Sequence, residues 1–129
     1  MKDLLKKIEN ELKNKEINAI YLFGSYAKGT QNKNSDIDIA ILLDKNFKIP
    51  KFYLSQLSNK LESKIKKEIH IIILNNSNLR IIHQVLKYGK LITSKKDTSN
   101  FENIKMKEYL DFKYYHDMYN SERIKRIEA

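Results

Sequence analysis

The stretch Tyr21–Leu43, YLFGSYAKGTQNKNSDIDIAILL, decides the fold of this chain. An apolar run ends at Phe23, turns at Gly24-Ser25, crosses a polar loop, and resumes as an apolar run carrying Asp36 and Asp38. Bare carboxylates inside a buried strand are costly, so these sit at its wet end or are neutralised by a cation. Two residues apart on a strand, they point to one face, about 6.6 Å from each other along it. That spacing suits hard divalent cations such as Mg²⁺, which take oxygen ligands and bridge to phosphates. On the other side of the loop, glycine lets the backbone approach a ligand, and free amides at a helix start attract anions. The Ser25 hydroxyl adds a rotatable donor. A phosphate cradle beside paired metal ligands is the equipment of phosphoryl or nucleotidyl transfer.

Each piece alone is common. A purely structural account makes Gly24 a turn residue and the two aspartates a solvated strand entry. Their order along the chain, strand, Gly-Ser, polar loop, Asp-X-Asp, strand, is what carries the signal. GSYAKGT also echoes the P-loop, but Lys28 precedes Gly29 instead of following it. A P-loop also continues into a long helix, and this chain runs through QNKNSD into a strand. That reading fails twice.

Working outward, Leu4, Leu5, Ile8 and Leu12 recur at helical spacing, so residues 2–14 read as an amphipathic helix. INAIYLF (17–23) is a β-rich run closed by Gly24, DIDIAILL (36–43) reads as an interior strand, and EIHIIIL (68–74) is a third. Between the last two, 51–66 carries apolar residues at helical intervals after Pro50 as initiator. NSNLRIIHQVLKYG reads as a helix capped by Asn76 or Ser77 and closed by Gly89 as C-cap. LITS adds a short strand. From about Asn100 no breaker interrupts one long helix, over 100–127. Its aromatics, from Phe101 through Tyr109 to Tyr119, cover more than one face; they either meet a second surface, such as another chain, or lie half-exposed. The expected architecture is α/β: a small mixed sheet on the three strands, flanked by helices, with a long C-terminal helix. His83 and His116 stand at no ligand spacing and read as ordinary helix surface.

The 129 residues predict one domain, with 41% apolar and 32% charged residues fitting a globular fold. Cysteine is absent, which excludes disulfides and thiolate zinc sites and fits a reducing compartment. No apolar run approaches the roughly 18 residues of a membrane span. The N-terminal MKDLLKKIENELKNK lacks the apolar core of a signal peptide, so a cytoplasmic location is expected. The net charge of +9 invites a polyanionic partner, yet all but three of the basic residues are lysine and no arginine cluster stands ready for phosphates. Lysine, isoleucine and asparagine share A/T-rich codons, and a generic basic surface accounts for the excess; direct nucleic-acid binding is not expected.

Gly24-Ser25, ten residues, then Asp36-Ile37-Asp38 resembles the signature of the DNA polymerase β-like nucleotidyltransferase superfamily. The short chain looks like the minimal nucleotidyltransferases (MNT), antitoxins encoded beside HEPN ribonuclease toxins. The resemblance covers about 17–92, including NLRIIHQVLKYGKLI, which looks like the family's helix-glycine-strand ending. It implies a nucleotidyltransferase-like core over about 15–95, with Gly24 and Ser25 holding the phosphates of ATP and Lys28 facing the triphosphate. Asp36 and Asp38 would bind Mg²⁺, or Mn²⁺. The implied reaction moves AMP from ATP to a hydroxyl, by family precedent a tyrosine's, on a HEPN toxin with which the chain forms a hetero-oligomer.

One position departs from the pattern. The family carries a third carboxylate on the neighbouring strand, and here the matching residue of IHIIIL is His70. Histidine is a poor Mg²⁺ ligand but a competent base. Three readings stay open: His70 serves as base beside a two-carboxylate metal centre and joins Asp36 and Asp38 as catalytic; Glu68, on the same side of the strand, stands in; or catalysis is weakened and the protein neutralises its toxin by binding alone. Transfer to a small molecule, as in aminoglycoside-modifying relatives, would need an acceptor-binding domain for which little chain remains. A nucleic-acid end modifier rests on basic charge alone and predicts salt-sensitive binding.

Overall fold

The computed structural model describes residues 1–128, with side chains described through Ser121. In chain order the elements are α1 (Lys2–Leu12), β1 (Ile17–Phe23), α2 (Ser25–Lys28), β2 (Ile37–Leu43), α3 (Tyr53–Ile65), β3 (Ile69–Ile73), a 3-10 turn (Leu74–Asn76), α4 (Leu79–Tyr88), β4 (Lys90–Ser94) and α5 (Ser99–Glu128). The strands form one mixed sheet in the order β3-β2-β1-β4. Both β2 and β4 run antiparallel to β1, whereas β3 runs parallel to β2. A parallel neighbour requires a crossover, and α3 is that crossover.

Strand alternation sorts the core into two layers. Ile20 and Leu22 of β1, Ile37, Ile39 and Ile41 of β2, and Ile69 of β3 face Ile8 and Leu12 of α1 and Tyr53, Leu57 and Leu61 of α3. The opposite side of the same strands, Ala19, Tyr21 and Ala40, meets Ile82 and Val85 of α4, with Phe101 of α5 packed against it. Each β2 residue from Ile37 to Ile41 has a β3 partner, Asp38 beside His70, while Phe23 pairs with Asp38 across β1. The α/β expectation therefore holds: a small mixed sheet with helices on both faces and a long C-terminal helix.

Element ends differ from expectation in instructive places. Neither Asn76 nor Ser77 caps α4; both are spent on the preceding turn, where the Ser77 hydroxyl donates to Ile73 O at 2.7 Å. Asn78 caps instead, its Oδ1 accepting from Ile81 N–H at 2.9 Å. Gly89 does close α4, but with an extended backbone rather than the left-handed turn usual for a C-cap glycine. Pro50 stands three residues before α3, and a left-handed Phe52 makes the entry.

His83 is not ordinary surface. Its ring stacks on Tyr109 of α5 at 3.9 Å between centroids, and its Nδ1 is buried. Burial, with Lys87 and Lys113 nearby, lowers its pKa. His116 remains exposed, as read. The α5 aromatics divide: Phe101 and Tyr109 pack inward, whereas Tyr114, Tyr115 and Tyr119 are exposed. Tyr21 of β1 anchors the start of α5 by donating to Glu102 Oε1 at 2.9 Å, an oxygen that also accepts from Thr98 Oγ1 at 3.0 Å.

Candidate functional site

The acidic residues lie at the wet end of their strand. Ile37 opens β2 by donating its N–H to Glu68 O at 3.0 Å, which leaves Asp36 just outside the sheet and Asp38 just inside. Alternation puts Asp38 on the same face as Ala40, the α4 side, and puts His70 there with Ile72. The carboxyl end of β1 and the amino ends of β2 and β3 thus meet at one rim. Strand pairing alone produces this convergence of residues distant in sequence.

Gly24 leaves β1 with φ 72° and ψ −152°, a backbone conformation close to glycine-only. The space a side chain would need is already filled: a Cβ on Gly24 would stand 2.2 Å from Asp38 Oδ2. Gly24 is therefore packed directly against Asp38. Ser25 then opens the four-residue α2, whose last residue is Lys28. Gly24 and Lys28 line a cleft of about 300 Å³ with Phe23 and with Arg80, Ile81, Gln84 and Tyr88 of α4. Lys28 Nζ lies 5.4 Å above the Tyr88 ring.

His70 sits among three carboxylates. Its Nε2 is 3.2 Å from Glu68 Oε1 and 3.7 Å from Asp36 Oδ2, and its Nδ1 is 3.6 Å from Asp38 Oδ1. The hydrogen bond with Glu68 raises the pKa of the imidazole; burial opposes it, and the charges of Asp36, Glu68 and Asp38 reinforce it. The Asp38 carboxyl is itself raised, chiefly by burial and also by Asp36, against the pull of His70. One donor atom each from Asp36, Glu68 and His70 lies within 4.8 Å of the others. The donor set fits a divalent cation, because carboxylate oxygens and an imidazole nitrogen are all competent ligands at that spacing.

Two groups of predicted residues thus lie side by side. Asp36, Asp38 and His70 gather at the rim, Gly24 touches Asp38, and Lys28 shares the cleft that begins at Gly24, with Ser25 between them in sequence. Arg80, Gln84 and Tyr88 were missed by motif reading. Their spacing, four residues apart along one helix, was the available signal.

The polymerase β nucleotidyltransferase family model matches residues 6–98. The chain belongs to that family. Its minimal, MNT-type members are the relatives it resembles. The protein adenylyltransferase MntA of Shewanella oneidensis is 40% identical over 76 residues, 58% of this chain and 52% of that protein, so the match spans about half of that relative's length. A relative from Methanocaldococcus jannaschii is 40% identical over 80 residues, 54% of this chain and 79% of its own length. Among solved structures, a toxin–antitoxin crystal structure with AMP-PNP superposes with a TM-score of 0.73 at 26% identity, covering 97% of this chain and 98% of the other.

Proposed function

We propose that this protein is an MNT-type antitoxin that transfers AMP from ATP to a hydroxyl, a tyrosine's, on a cognate HEPN-type toxin. The observation that carries the reading is the convergence of Asp36, Asp38 and His70 at one rim, with Asp38 pressed against Gly24 of the phosphate turn. The 40%-identical relative described as a protein adenylyltransferase supports the reaction, and the neighbour solved as a toxin–antitoxin pair with AMP-PNP supports both the nucleotide and the hetero-complex. The reading takes residues 1–129 as one minimal domain acting in the cytoplasm; among the described residues no helix is long and apolar enough to cross a membrane.

The chain's residues divide the work. Ser25, the amides that open α2, and Lys28 hold the triphosphate, since cationic and N–H donors pair with phosphate oxygens. The cleft beyond Lys28, walled by Gln84, Arg80 and Tyr88, has room for the nucleoside. Asp36 and Asp38 hold the divalent cation, Mg²⁺ or Mn²⁺, which when bound neutralises phosphate charge and favours attack at the α-phosphorus. The acceptor oxygen bonds to that phosphorus as the bond to the β-phosphate oxygen breaks; pyrophosphate leaves, and the acceptor's proton passes to the carboxylate–imidazole cluster. A toxin-binding protein with a dead site finds no favouring observation here, because His70 faces both aspartates instead of turning away from them.

The test is incubation with α-labelled ATP, a divalent cation and the candidate toxin. Label is expected on the toxin. The Asp36→Asn/Asp38→Asn double variant is expected to lose transfer by two orders of magnitude or more while keeping its circular dichroism spectrum and toxin binding. Transfer retained by that variant refutes the assigned site.

A further inference from the structure

The imidazole of His70 changes the chemistry of the donors at the acidic rim. A carboxylate-only cluster is an all-oxygen seat, the kind Mg²⁺ accepts. At this rim the third position supplies an imidazole, and a carboxylate from two residues earlier, Glu68, comes up beside it. His70 Nε2 lies 3.2 Å from Glu68 Oε1 and 3.7 Å from Asp36 Oδ2. Neighbouring ligands on a six-coordinate cation with bonds of about 2.1 Å stand roughly 3 Å apart, so the three donors need only small side-chain rotations to share one ion.

The other ring nitrogen has its own partner. Nδ1 faces Asp38 Oδ1 at 3.6 Å, while Asp38 Oδ2 is turned to Gly24. When a cation takes Nε2 in place of its proton, Nδ1 carries the proton, and a carboxylate facing it raises the ring's basicity as a ligand. Asp38 turns one oxygen toward His70 and the other toward the phosphate turn.

We propose that Glu68 and His70 Nε2 join the Asp36–Asp38 cation site and, with Asp36, make it a mixed oxygen–nitrogen seat that selects a first-row transition cation, Mn²⁺, over Mg²⁺. Imidazole favours transition metals, whereas Mg²⁺ keeps to oxygen and water. Of the three readings of position 70, this keeps Glu68 as the third carboxylate and gives His70 a role outside all three, that of a ligand. The inference rests on the proposed site only in taking the acidic rim as its metal side; it does not depend on the acceptor or on a toxin.

The test uses the full-length protein with MnCl₂ alone and reads the metal, not turnover. Pulsed electron paramagnetic resonance of bound Mn²⁺ is expected to show ¹⁴N modulation that changes to the ¹⁵N pattern when the protein is labelled with ¹⁵N-histidine. That modulation is expected to vanish in His70→Asp. By titration calorimetry, the Mn²⁺-over-Mg²⁺ affinity ratio is expected to fall at least fivefold in His70→Asp, and Glu68→Gln to weaken Mn²⁺ about tenfold. Bound Mn²⁺ without nitrogen modulation in the wild type overturns the proposal, as does an unchanged ratio in His70→Asp. Nitrogen modulation without AMP transfer leaves the seat standing and removes the adenylyltransferase reading; AMP transfer without modulation does the reverse.

Discussion

At the scale of single residues, Gly24 carries two constraints at once, a positive φ and a filled Cβ position. Its φ of 72° and the 2.2 Å approach of Asp38 Oδ2 to a would-be Cβ mean that any side chain displaces the carboxylate as well as straining the turn. Gly24→Ala is expected to cost about 1–3 kcal/mol in a denaturant titration and to abolish labelling of the toxin. Gly29 is the control: it too has positive φ, but no atom lies within 4 Å of its Cβ position. Gly29→Asn is expected to stay within about 1 kcal/mol of the parent, because asparagine tolerates the left-handed region. The sequence disclosed the acids, the glycine and the serine because each is an unusual residue in an apolar run. What it hid was the partner of each. That Glu68 and His70 reach Asp36 depends on the β2–β3 register, and the alignment of two parallel strands joined through a helix is not written in either strand's own residues.

Elements show the same division between local and long-range information. Strand β1 was read to its residue bounds because β-rich apolar content and a terminal glycine are local signals. The sequence points to Asn76 or Ser77 as the α4 cap, whereas Asn78 is the cap, because all three are good capping residues and the 3-10 turn that claims the first two is set by the end of β3. His83 looked like surface because its covering residue, Tyr109, comes from α5. That contact has a pH signature. A histidine whose folded pKa is lowered stays neutral in the fold while the unfolded chain takes up a proton below about 6.5, so stability drops as pH falls through that value. Between pH 7.5 and 5.5 the thermal midpoint of the parent is expected to fall relative to that of His83→Phe, which keeps the stack without the titration. His70, with its raised pKa, works in the opposite direction, protecting the fold as pH drops, so the comparison between parent and variant isolates His83. A second tie holds α5 to the sheet: the Tyr21 hydroxyl donates to Glu102. Tyr21→Phe is expected to lower stability by about 1–2 kcal/mol, leaving Glu102 with Thr98 alone.

Across the whole molecule, α5 stretches about 45 Å at 1.5 Å per residue, yet its inward packing is concentrated in the part from Phe101 to Tyr109. Beyond that, Leu110, Tyr114, Tyr115 and Tyr119 expose 58–66% of their surface. Replacing Tyr114 and Tyr115 together with serine is expected to shift folding stability by less than about 0.5 kcal/mol per site; a larger loss in the isolated protein would mean the distal helix packs on its own chain. The acidic rim shares this openness, with Glu68 and His70 keeping 67% and 52% of their side-chain surface in solvent. Under the proposed reaction, water reaches the same phosphorus as the intended acceptor. A hydroxyl delivered by docking acts at an effective molarity of roughly 10⁵ M or more, so delivery and not chemical reactivity decides what is labelled. Left on its own, such a protein would idle as a slow hydrolase, and its fidelity would belong to the embrace of the two proteins together.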